Sequence, residues 1–580
     1  MKVSGKKDLQ KLQKEGMATL FPDRTRIMVG MATCCIAKGS AEVMSALKDE
    51  IKKQGLKADV VAVGCIGLCY QEPTIEVVQP GKPKITYGEM TPGKIPSLVA
   101  CIKQGKVEKQ SVLYRTDKEE LPLNEGRHIF SKGASLKEFK GIQEYSEVPF
   151  FKKQRKVALR NAGFIDPENI SEYIARGGYS SLMNTLASMK PEAVIAEVTK
   201  AGLRGRSGGG FPTGVKWQAC RKADGKIKYM LCNVSEGDPG IGMHKSLLES
   251  DPHSVLEGMI IGAYAIGAKE GYIYISSGQT LGVMRMEKAV ADAKACGFLG
   301  KSILKSGFDF TVKVKEGAGA YVCGEETALI RSFEGDWGEP RQRPPYPAVS
   351  GLWGKPTVIN NVETLANVPV IMGKGAKWFS SIGSEKSKGT KVFSVVGEVN
   401  RPGLIEVPMG TTLREIIYDV GGGLPKGKTL KAVLAGGPAG GCVPKKLMNL
   451  PVDYEALMQA GSAMSSGGII VMDEGNCMVD MNKYLLSFSE EESCGKCTPC
   501  RVGVRRMREI ITDISEGKGR EGDVELLEKM ALLIKDGALC NLGKTAPNPV
   551  LATLRYFKDE YQAHIKKKKC SAAVCKSLKK

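Results

Sequence analysis

Long apolar runs are missing from this 580-residue sequence. The most apolar stretch, "GMIIGAYAIGA", is broken by glycines and falls far short of the roughly 20 residues that span a bilayer, which excludes direct membrane insertion. A secretory signal is missing too: "MKVSGKKDLQKLQKEG" has lysines but no apolar core, so a cytoplasmic location is expected. Acidic residues are in deficit, 63 against 84 basic, which leaves a net charge of +21. That excess comes without aromatic–basic interleaving or a helix-turn-helix pattern. Its lysines are spread along the chain apart from "IKKKKC". Nucleic acid is therefore set aside, and an acidic partner subunit or electron carrier is expected. Histidine is scarce, four in all, and His128, His244 and His253 read as ordinary surface or loop residues. There is no internal repeat, no Walker A loop and no G-x-G-x-x-G fingerprint.

Cysteine, by contrast, is plentiful, with seventeen in the chain. In a reducing cytosol these suggest metal ligands rather than a disulfide frame. The length predicts roughly four domains. Over 1–110, "RIMVGMATC" and "ADVVAVGCIGLC" read as strands that end in cysteines, with "SAEVMSALKDEIKKQG" as a helix between them. A hairpin, "PTIEVVQPGKPKITYG", and a closing helix, "GKIPSLVACIKQG", complete a small α/β domain. Residues 111–155 read as a linker and 156–385 as a larger α/β region. Over 386–475 short strands and one helix suggest a β-grasp-like module. From 476 to 580 the pattern is helical.

Cys494, Cys497 and Cys500 form C-x2-C-x2-C in "ESCGKCTPCRVG", and Cys540 in "DGALCNLGK" can supply a fourth thiolate. A three-plus-one split suits a [4Fe–4S] cluster better than zinc, whose ribbons pair two C-x2-C knuckles. In "AGLRGRSGGGFPTGVKW", Gly208, Gly209 and Gly210 let backbone amides approach a ligand. Arg204, Arg206 and Lys216 add positive charge, as a phosphate requires. "CNVSEGDPG" strings Asn233, Glu236 and Asp238 along a strand-end loop. "GAGAYVCGEETALIRSFEG" sets Glu325 and Glu326 at a helix start. "PTVINNVETLANVP" pairs the amides of Asn360 and Asn361, donors suited to the carbonyls of a planar ring.

Together with PRQRPPYPA, these motifs resemble the FMN-containing, NADH-binding subunit of respiratory complex I. They are closer still to the β subunit of multimeric, often electron-bifurcating hydrogenases and related formate dehydrogenases. The resemblance covers roughly 150–580. It implies an FMN domain, a ubiquitin-like SLBB module and a helical bundle with a [4Fe–4S] cluster. By the same resemblance FMN is held by Gly205, Arg206, Gly208, Gly209, Gly210, Lys216, Asn233, Ser235, Glu236, Tyr321, Gly324, Asn360, Asn361 and Thr364. Phe211, Asp238, Glu325, Glu326, Arg343 and Tyr346 line the NAD(H) site. Asp238 departs from the commoner glutamate.

Cys34, Cys35, Cys65 and Cys69 resemble the set of the thioredoxin-like [2Fe–2S] ferredoxins. Gly30 stands where the first ligand belongs, and the vicinal Cys34 is the expected substitute. The alternative is a domain of that fold without its cluster. In the tail, the ferredoxin module common in the hydrogenase relatives is expected to be absent, because the sequence ends five residues after Cys575. His564, Cys570 and Cys575 instead form H-x5-C-x4-C. With Cys477 they would complete a tetrahedral zinc site; the alternative is a disordered tail. Cys101, Cys220, Cys232, Cys296, Cys323 and Cys442 have no ligand spacing and read as buried apolar residues.

The expected activity is hydride exchange between NAD(H) and FMN, then single-electron transfer to iron–sulfur clusters. Partners would be a small thioredoxin-like [2Fe–2S] subunit and a hydrogenase or formate dehydrogenase catalytic subunit, with ferredoxin as a further carrier. A complex I-type input subunit and a flavin-free assembly scaffold are the alternatives.

Overall fold

The computed structural model describes residues 1–123, 126–131, 139–240 and 242–578. Helix α1 (Lys6–Leu20) precedes the first sheet but does not belong to it. Its Leu9, Leu12 and Leu20 are buried in the apolar core of the region that follows residue 156. Gly16 permits this packing, since a Cβ there would stand 1.9 Å from the Ser171 carbonyl oxygen. The expected 1–110 unit thus loses its first twenty residues to a neighbour.

The first sheet contains β1 (Thr25–Gly30), β2 (Ala58–Val63), β3 (Ile75–Val78), β4 (Lys84–Tyr87) and β5 (Val112–Thr116), in the order β2-β1-β3-β4-β5. β1 and β2 are parallel, as a crossover through α2 (Ser40–Gln54) requires. Val43, Leu47 and Ile51 recur every four residues and bury one face of α2, which stops at Gly55 with φ +65°. α3 (Ile95–Lys103) covers the same face of the sheet. β5 falls within the stretch expected to be a linker. It joins the sheet because Tyr114 is buried against Phe151 and Tyr145. A short hairpin, β6 (Lys118–Glu120) with β7 (Arg127–Ile129), follows. Of the linker expected over 111–155, residues 124–125 and 132–138 lie outside the described residues.

The second sheet is all parallel, with β8 (Tyr229–Val234), β9 (Glu270–Ile275), β10 (Thr311–Glu316) and β11 (Thr357–Asn361) in the order β10-β9-β8-β11. Strand order reverses at β8, so the loops leaving β8 and β11 part and open a crevice at the carboxyl ends of the strands. Around the crevice stand α4 (Thr213–Lys222), α5 (Met243–Ser250), α6 (Pro252–Ile266), α7 (Glu326–Glu334) and α8 (Val362–Lys374).

A third sheet has the order β13-β12-β16-β14-β15, from β12 (Thr390–Gly397), β13 (Gly403–Pro408), β14 (Leu430–Ala435), β15 (Gly441–Pro444) and β16 (Gly468–Asp473). This is the small β module expected after the flavin region. The C-terminal bundle comprises α9 (Met478–Glu491), α10 (Arg505–Ser515), α11 (Asp523–Gly537), α12 (Asn548–Tyr556) and α13 (Lys558–Lys566).

Buried charges tie these modules together. Arg26 of β1 makes a two-pronged pair with Glu172 at 2.7 and 2.8 Å. Glu406 on β13 accepts from the backbone N–H groups of Val157, Ala158 and Leu159, each at 2.9 Å, so it pins the incoming chain to the third sheet. Lys391 of β12 pairs with Glu363 of α8 at 2.5 Å, and both side chains are fully buried. Glu363→Ala would leave an ammonium buried without its carboxylate and is expected to cost about 3–5 kcal/mol. In urea unfolding, the Lys391→Met/Glu363→Gln double variant should recover at least half of that loss. Equal losses in the two variants would show that the pair does not act as a unit.

Candidate functional site

The glycine loop closes on itself: Gly205 N–H donates to the Phe211 carbonyl at 2.9 Å, and Arg204 bridges Pro212. Gly208 and Gly210 take φ +121° and +58°, a region that L side chains rarely enter. A Cβ on Gly208 would meet Ser465 Cα at 2.7 Å, and one on Gly210 the Tyr454 ring at 2.8 Å, so the third-sheet module presses on the loop. Tyr454 also donates its hydroxyl to the Gly205 carbonyl at 2.7 Å. A Cβ on Gly209 would meet nothing within 4 Å, and one on Gly324 only Ser235 Oγ at 3.9 Å. That open space above bare backbone fits a bulky planar or phosphorylated ligand. The loop then runs into the N-terminus of α4, where backbone N–H groups favour an anion.

The two arginines of the loop are turned away from any such ligand. Arg206 is fully buried and donates to the Arg204 and Lys388 carbonyls, while its own N–H donates to Thr364 Oγ1 at 2.9 Å. Arg204 pairs with Glu455 at 2.7 Å and lies over the Tyr454 ring. A tight loop turns its carbonyls inward, and these guanidinium groups satisfy them. Their positive charge, expected for a phosphate, is used structurally.

Register sets Asn233 of β8 directly beside Asn361 of β11 at the crevice. Asn233 donates to the Gly324 carbonyl at 2.9 Å and accepts from Ser235 N–H at 2.8 Å. Asn361 caps α8, accepting from Glu363 N–H at 2.8 Å, and Asn360 accepts from Trp217 Nε1 at 2.8 Å. Glu236 accepts from the backbone N–H groups of His244 and Lys245, each at 3.1 Å. Asp238 is buried against Ser466 and Tyr321, and burial pushes its carboxyl up. Its Oδ1 is buried without a hydrogen-bond partner, as is Oε1 of Gln279, which follows β9 and donates its Nε2 to the Val234 carbonyl at the end of β8; such orphaned oxygens are expected where a ligand completes the site.

Across the crevice, Lys216 Nζ meets Glu326 at 3.1 Å and the Ile359 carbonyl at 3.2 Å. Arg343 meets Glu326 at 3.0 Å, and Glu325 caps α7. Burial alone would raise the Glu326 carboxyl, but Lys216 and then Arg343 outweigh it and hold it low. Phe211 and Tyr346 are 54% and 58% exposed, rings suited to stacking on a base.

Cys494, Cys497, Cys500 and Cys540 line one hollow with Val322, Pro340 and Leu542. Val322 belongs to the same turn as Tyr321 and Gly324, so this hollow adjoins the flavin crevice. The bundle is held there by Tyr321 N–H donating to Glu492 at 2.8 Å and by Lys496 donating to the Pro340 carbonyl at 2.8 Å. Among the described residues these four thiols do not gather within the 4.8 Å separation that the ligand atoms of Cys477, His564, Cys570 and Cys575 reach. A cubane, whose ligands bind four different irons, needs that wider spread.

At the ends of β1 and β2, Cys34, Cys65 and Cys69 lie with ligand atoms within 4.8 Å of one another, and so do Cys35, Cys65 and Glu72. Hydrogen bonds from the neighbouring thiols hold the Cys34 thiol low, while Cys35 is pushed up. These loops sit on the C-terminal end of α5: Thr33 N–H donates to Glu249 at 2.8 Å, and a Cβ on Gly64 would collide with Ser250. The other end of α5 carries His244, whose Nε2 is 2.9 Å from Asn361 Nδ2. One short helix, about 9 Å between these residues, therefore joins the flavin crevice to the N-terminal thiols.

Cys477, His564, Cys570 and Cys575 are all buried with ligand atoms within 4.8 Å of one another. His564 Nε2 lies 3.4 Å from Cys477 and 3.5 Å from Cys575, and its Nδ1 is 2.7 Å from the Glu560 carbonyl. That second contact fixes the ring with Nε2 toward the thiols, as metal-bound imidazoles require. Cys575 and then His564 pull the Cys477 thiol down to about 4. The tail beyond α13 is thus folded back onto the bundle core.

Two histidines depart from the expectation of surface or loop residues. His244 is buried at the crevice, and His253 is buried against Tyr179, with desolvation lowering it to about 3. His128 stacks on Phe21 with ring centroids 3.6 Å apart. Sequence reasoning missed His244 because a lone histidine carries no spacing signal.

Four family models match the chain in order: a thioredoxin-like [2Fe–2S] ferredoxin over 21–103, the Nuo51 FMN-binding domain over 198–370, an SLBB domain over 392–443, and the NADH-ubiquinone oxidoreductase-F iron-sulfur binding region over 480–564. The NADP-reducing hydrogenase subunit HndC of Solidesulfovibrio fructosivorans is 53% identical over 427 residues, 74% of this chain and 87% of that protein. The matching NADH-quinone oxidoreductase subunit of Aquifex aeolicus is 44% identical over 428 residues, 73% of this chain and 99% of its own length. A chain of the NAD+-reducing [NiFe]-hydrogenase, solved in the H2-reduced state, superposes with a TM-score of 0.62 at 27% identity, covering 97% of this chain and 90% of that one. With these matches in order and relatives covered over most of their length, the chain belongs to the family of FMN-binding subunits shared by NADH-quinone oxidoreductases and NAD(P)-reducing hydrogenases.

Proposed function

We propose that the chain is the flavin subunit of a multisubunit oxidoreductase of the hydrogenase type, where NAD(H) exchanges electrons with iron–sulfur clusters. The observation that carries this reading is the shared turn at Tyr321–Gly324, which borders the flavin crevice on one side and the four-cysteine hollow on the other. When bound, FMN would supply exchange between the electron pair of nicotinamide and the single electrons of a cluster.

The chain's own groups bind and orient. Backbone at Gly205, Gly208, Gly209 and Gly210 would accept the phosphate end, with α4 behind it and Lys216 at its first turn. Asn233, Ser235, Glu236, Asn360, Asn361 and Thr364 would hold the ring and its polyol at the strand ends, and Gly324 leaves room above them. Phe211 and Tyr346 would sandwich the dinucleotide base. Glu325, Glu326, Asp238 and Arg343 would fix its sugars and exclude water. Arg206 supports the loop from behind.

Cys494, Cys497, Cys500 and Cys540 would hold a [4Fe–4S] cluster. Thiols among Cys34, Cys35, Cys65 and Cys69 would hold a [2Fe–2S] cluster at the far end of α5. The donor set of Cys477, His564, Cys570 and Cys575, three thiols and one imidazole, would hold structural zinc, which cross-links the tail to the bundle where a partner docks. Hydrogenase rather than quinone chemistry is favoured by the cysteine-bearing N-terminal domain, which shares a chain with the flavin crevice. A small [2Fe–2S] subunit, a hydrogenase or formate dehydrogenase catalytic subunit and ferredoxin are the proposed redox partners. No helix among the described residues is long and apolar enough to cross a membrane.

In Cys497→Ala, one [4Fe–4S] cluster should be lost while NADH still reduces the flavin, and electron delivery to the partner should fall at least tenfold. Delivery at the wild-type rate would reject the cluster assignment. Metal analysis of the pure wild-type chain should find about one zinc. His564→Ala/Cys570→Ser should hold none and lose stability, and an unchanged zinc content would remove the tail site from the account.

A further inference from the structure

One imidazole spans the opening where the strand order reverses. His244, in the first turn of α5, is 3% exposed. Its Nε2 lies 2.9 Å from Nδ2 of Asn361, the last residue of β11. Its backbone N–H donates to both oxygens of Glu236, in the loop after β8, at 3.1 Å each. The ring's Nδ1 stands 3.7 Å from Glu236 Oε1. Asn361 and Glu236 are two of the groups that would hold the flavin ring, and they border the opening from different strands. His244 meets both.

Neighbouring bonds fix the direction of the Asn361 contact. Asn361 Oδ1 already accepts from Glu363 N–H at 2.8 Å and from Thr364 N–H at 3.4 Å, so the amide presents its NH2 to the imidazole. Nε2 is then the acceptor, and the proton of the neutral ring is on Nδ1, the nitrogen nearer Glu236. An imidazolium there would set two donors against each other, and Asn361 could relieve that only by turning over and giving up its cap on α8. Without the Nε2 acceptor, the buried Asn361 Nδ2 would be left unpaired and the amide held from one side only. Nδ1 itself is buried without a hydrogen-bond partner, as are Asp238 Oδ1 and Gln279 Oε1.

We propose that His244 is a positioning residue of the flavin site: through Nε2 it holds the Asn361 amide in the orientation that receives the ring, between the cap of α8 and the Glu236 carboxylate. This rests on the reading that the crevice binds FMN. The test uses the full chain, stripped of flavin and titrated with FMN, with binding read from quenching of the flavin fluorescence. Glutamine and asparagine separate the two ring nitrogens, since a glutamine amide reaches the place of Nε2 and an asparagine amide only that of Nδ1. His244→Leu and His244→Asn should each bind FMN about tenfold more weakly, the loss of one buried hydrogen bond, whereas His244→Gln should stay within about threefold of wild type. A residue that served packing alone would lower the melting temperature without FMN, whereas a positioning residue lowers the increment that FMN adds. That increment should shrink in His244→Asn and persist in His244→Gln. Equal FMN affinity in the Gln and Asn variants, or wild-type affinity in His244→Leu, would overturn the role of His244 and leave the flavin site standing. A wild-type chain that quenches no FMN fluorescence would overturn both.

Discussion

Reversal of strand order at β8 forces the loops after β8 and β11 apart, and a gap at the end of a parallel sheet must be filled or bordered by something polar. Here three other modules border it. The third-sheet module presses Ser465, Ser466 and Tyr454 onto the glycine loop and Asp238. The bundle contributes Glu492 and Phe488 to the turn at Tyr321. The N-terminal domain reaches the gap through α5. Each module keeps its own apolar core, and the modules are arranged around one opening.

Desolvated charge keeps that arrangement in register. Arg26–Glu172, Lys391–Glu363 and the three backbone N–H groups on Glu406 each join residues from different modules. Such pairs contribute modestly to net stability but are costly to break, because a partner left alone is buried without solvent. They therefore fix where modules sit more than how strongly they hold. For electron transfer that is the useful property, since rates depend on the separation of fixed centres.

Legibility in the sequence followed chain distance. C-x2-C-x2-C with Cys540, the glycine loop, and the strand–helix–strand start around Cys34 and Cys65 are local patterns, and the residues they name come together. The tail set of Cys477, His564, Cys570 and Cys575 was also readable from donor chemistry. Long-range partners were not: Glu406 and Glu363 are single carboxylates in strand and helix, and nothing near them announces a buried role. The same holds for His244, and for α1, whose lysine-rich face hid leucines that pack on a distant domain. Arg204 and Arg206 misled in the opposite direction, since sequence shows charge but not which carbonyls consume it.

In this arrangement the crevice at β8 and β11 would stand between a bound dinucleotide and the thiol hollows. Rapid mixing of the flavin- and cluster-reconstituted chain with NADH, followed by absorbance and freeze-quench EPR, tests it most directly. A flavin-like band should bleach first and the clusters should be reduced after it, and neither should happen when the flavin is omitted. Cluster reduction by NADH at the same rate in flavin-free protein would contradict it.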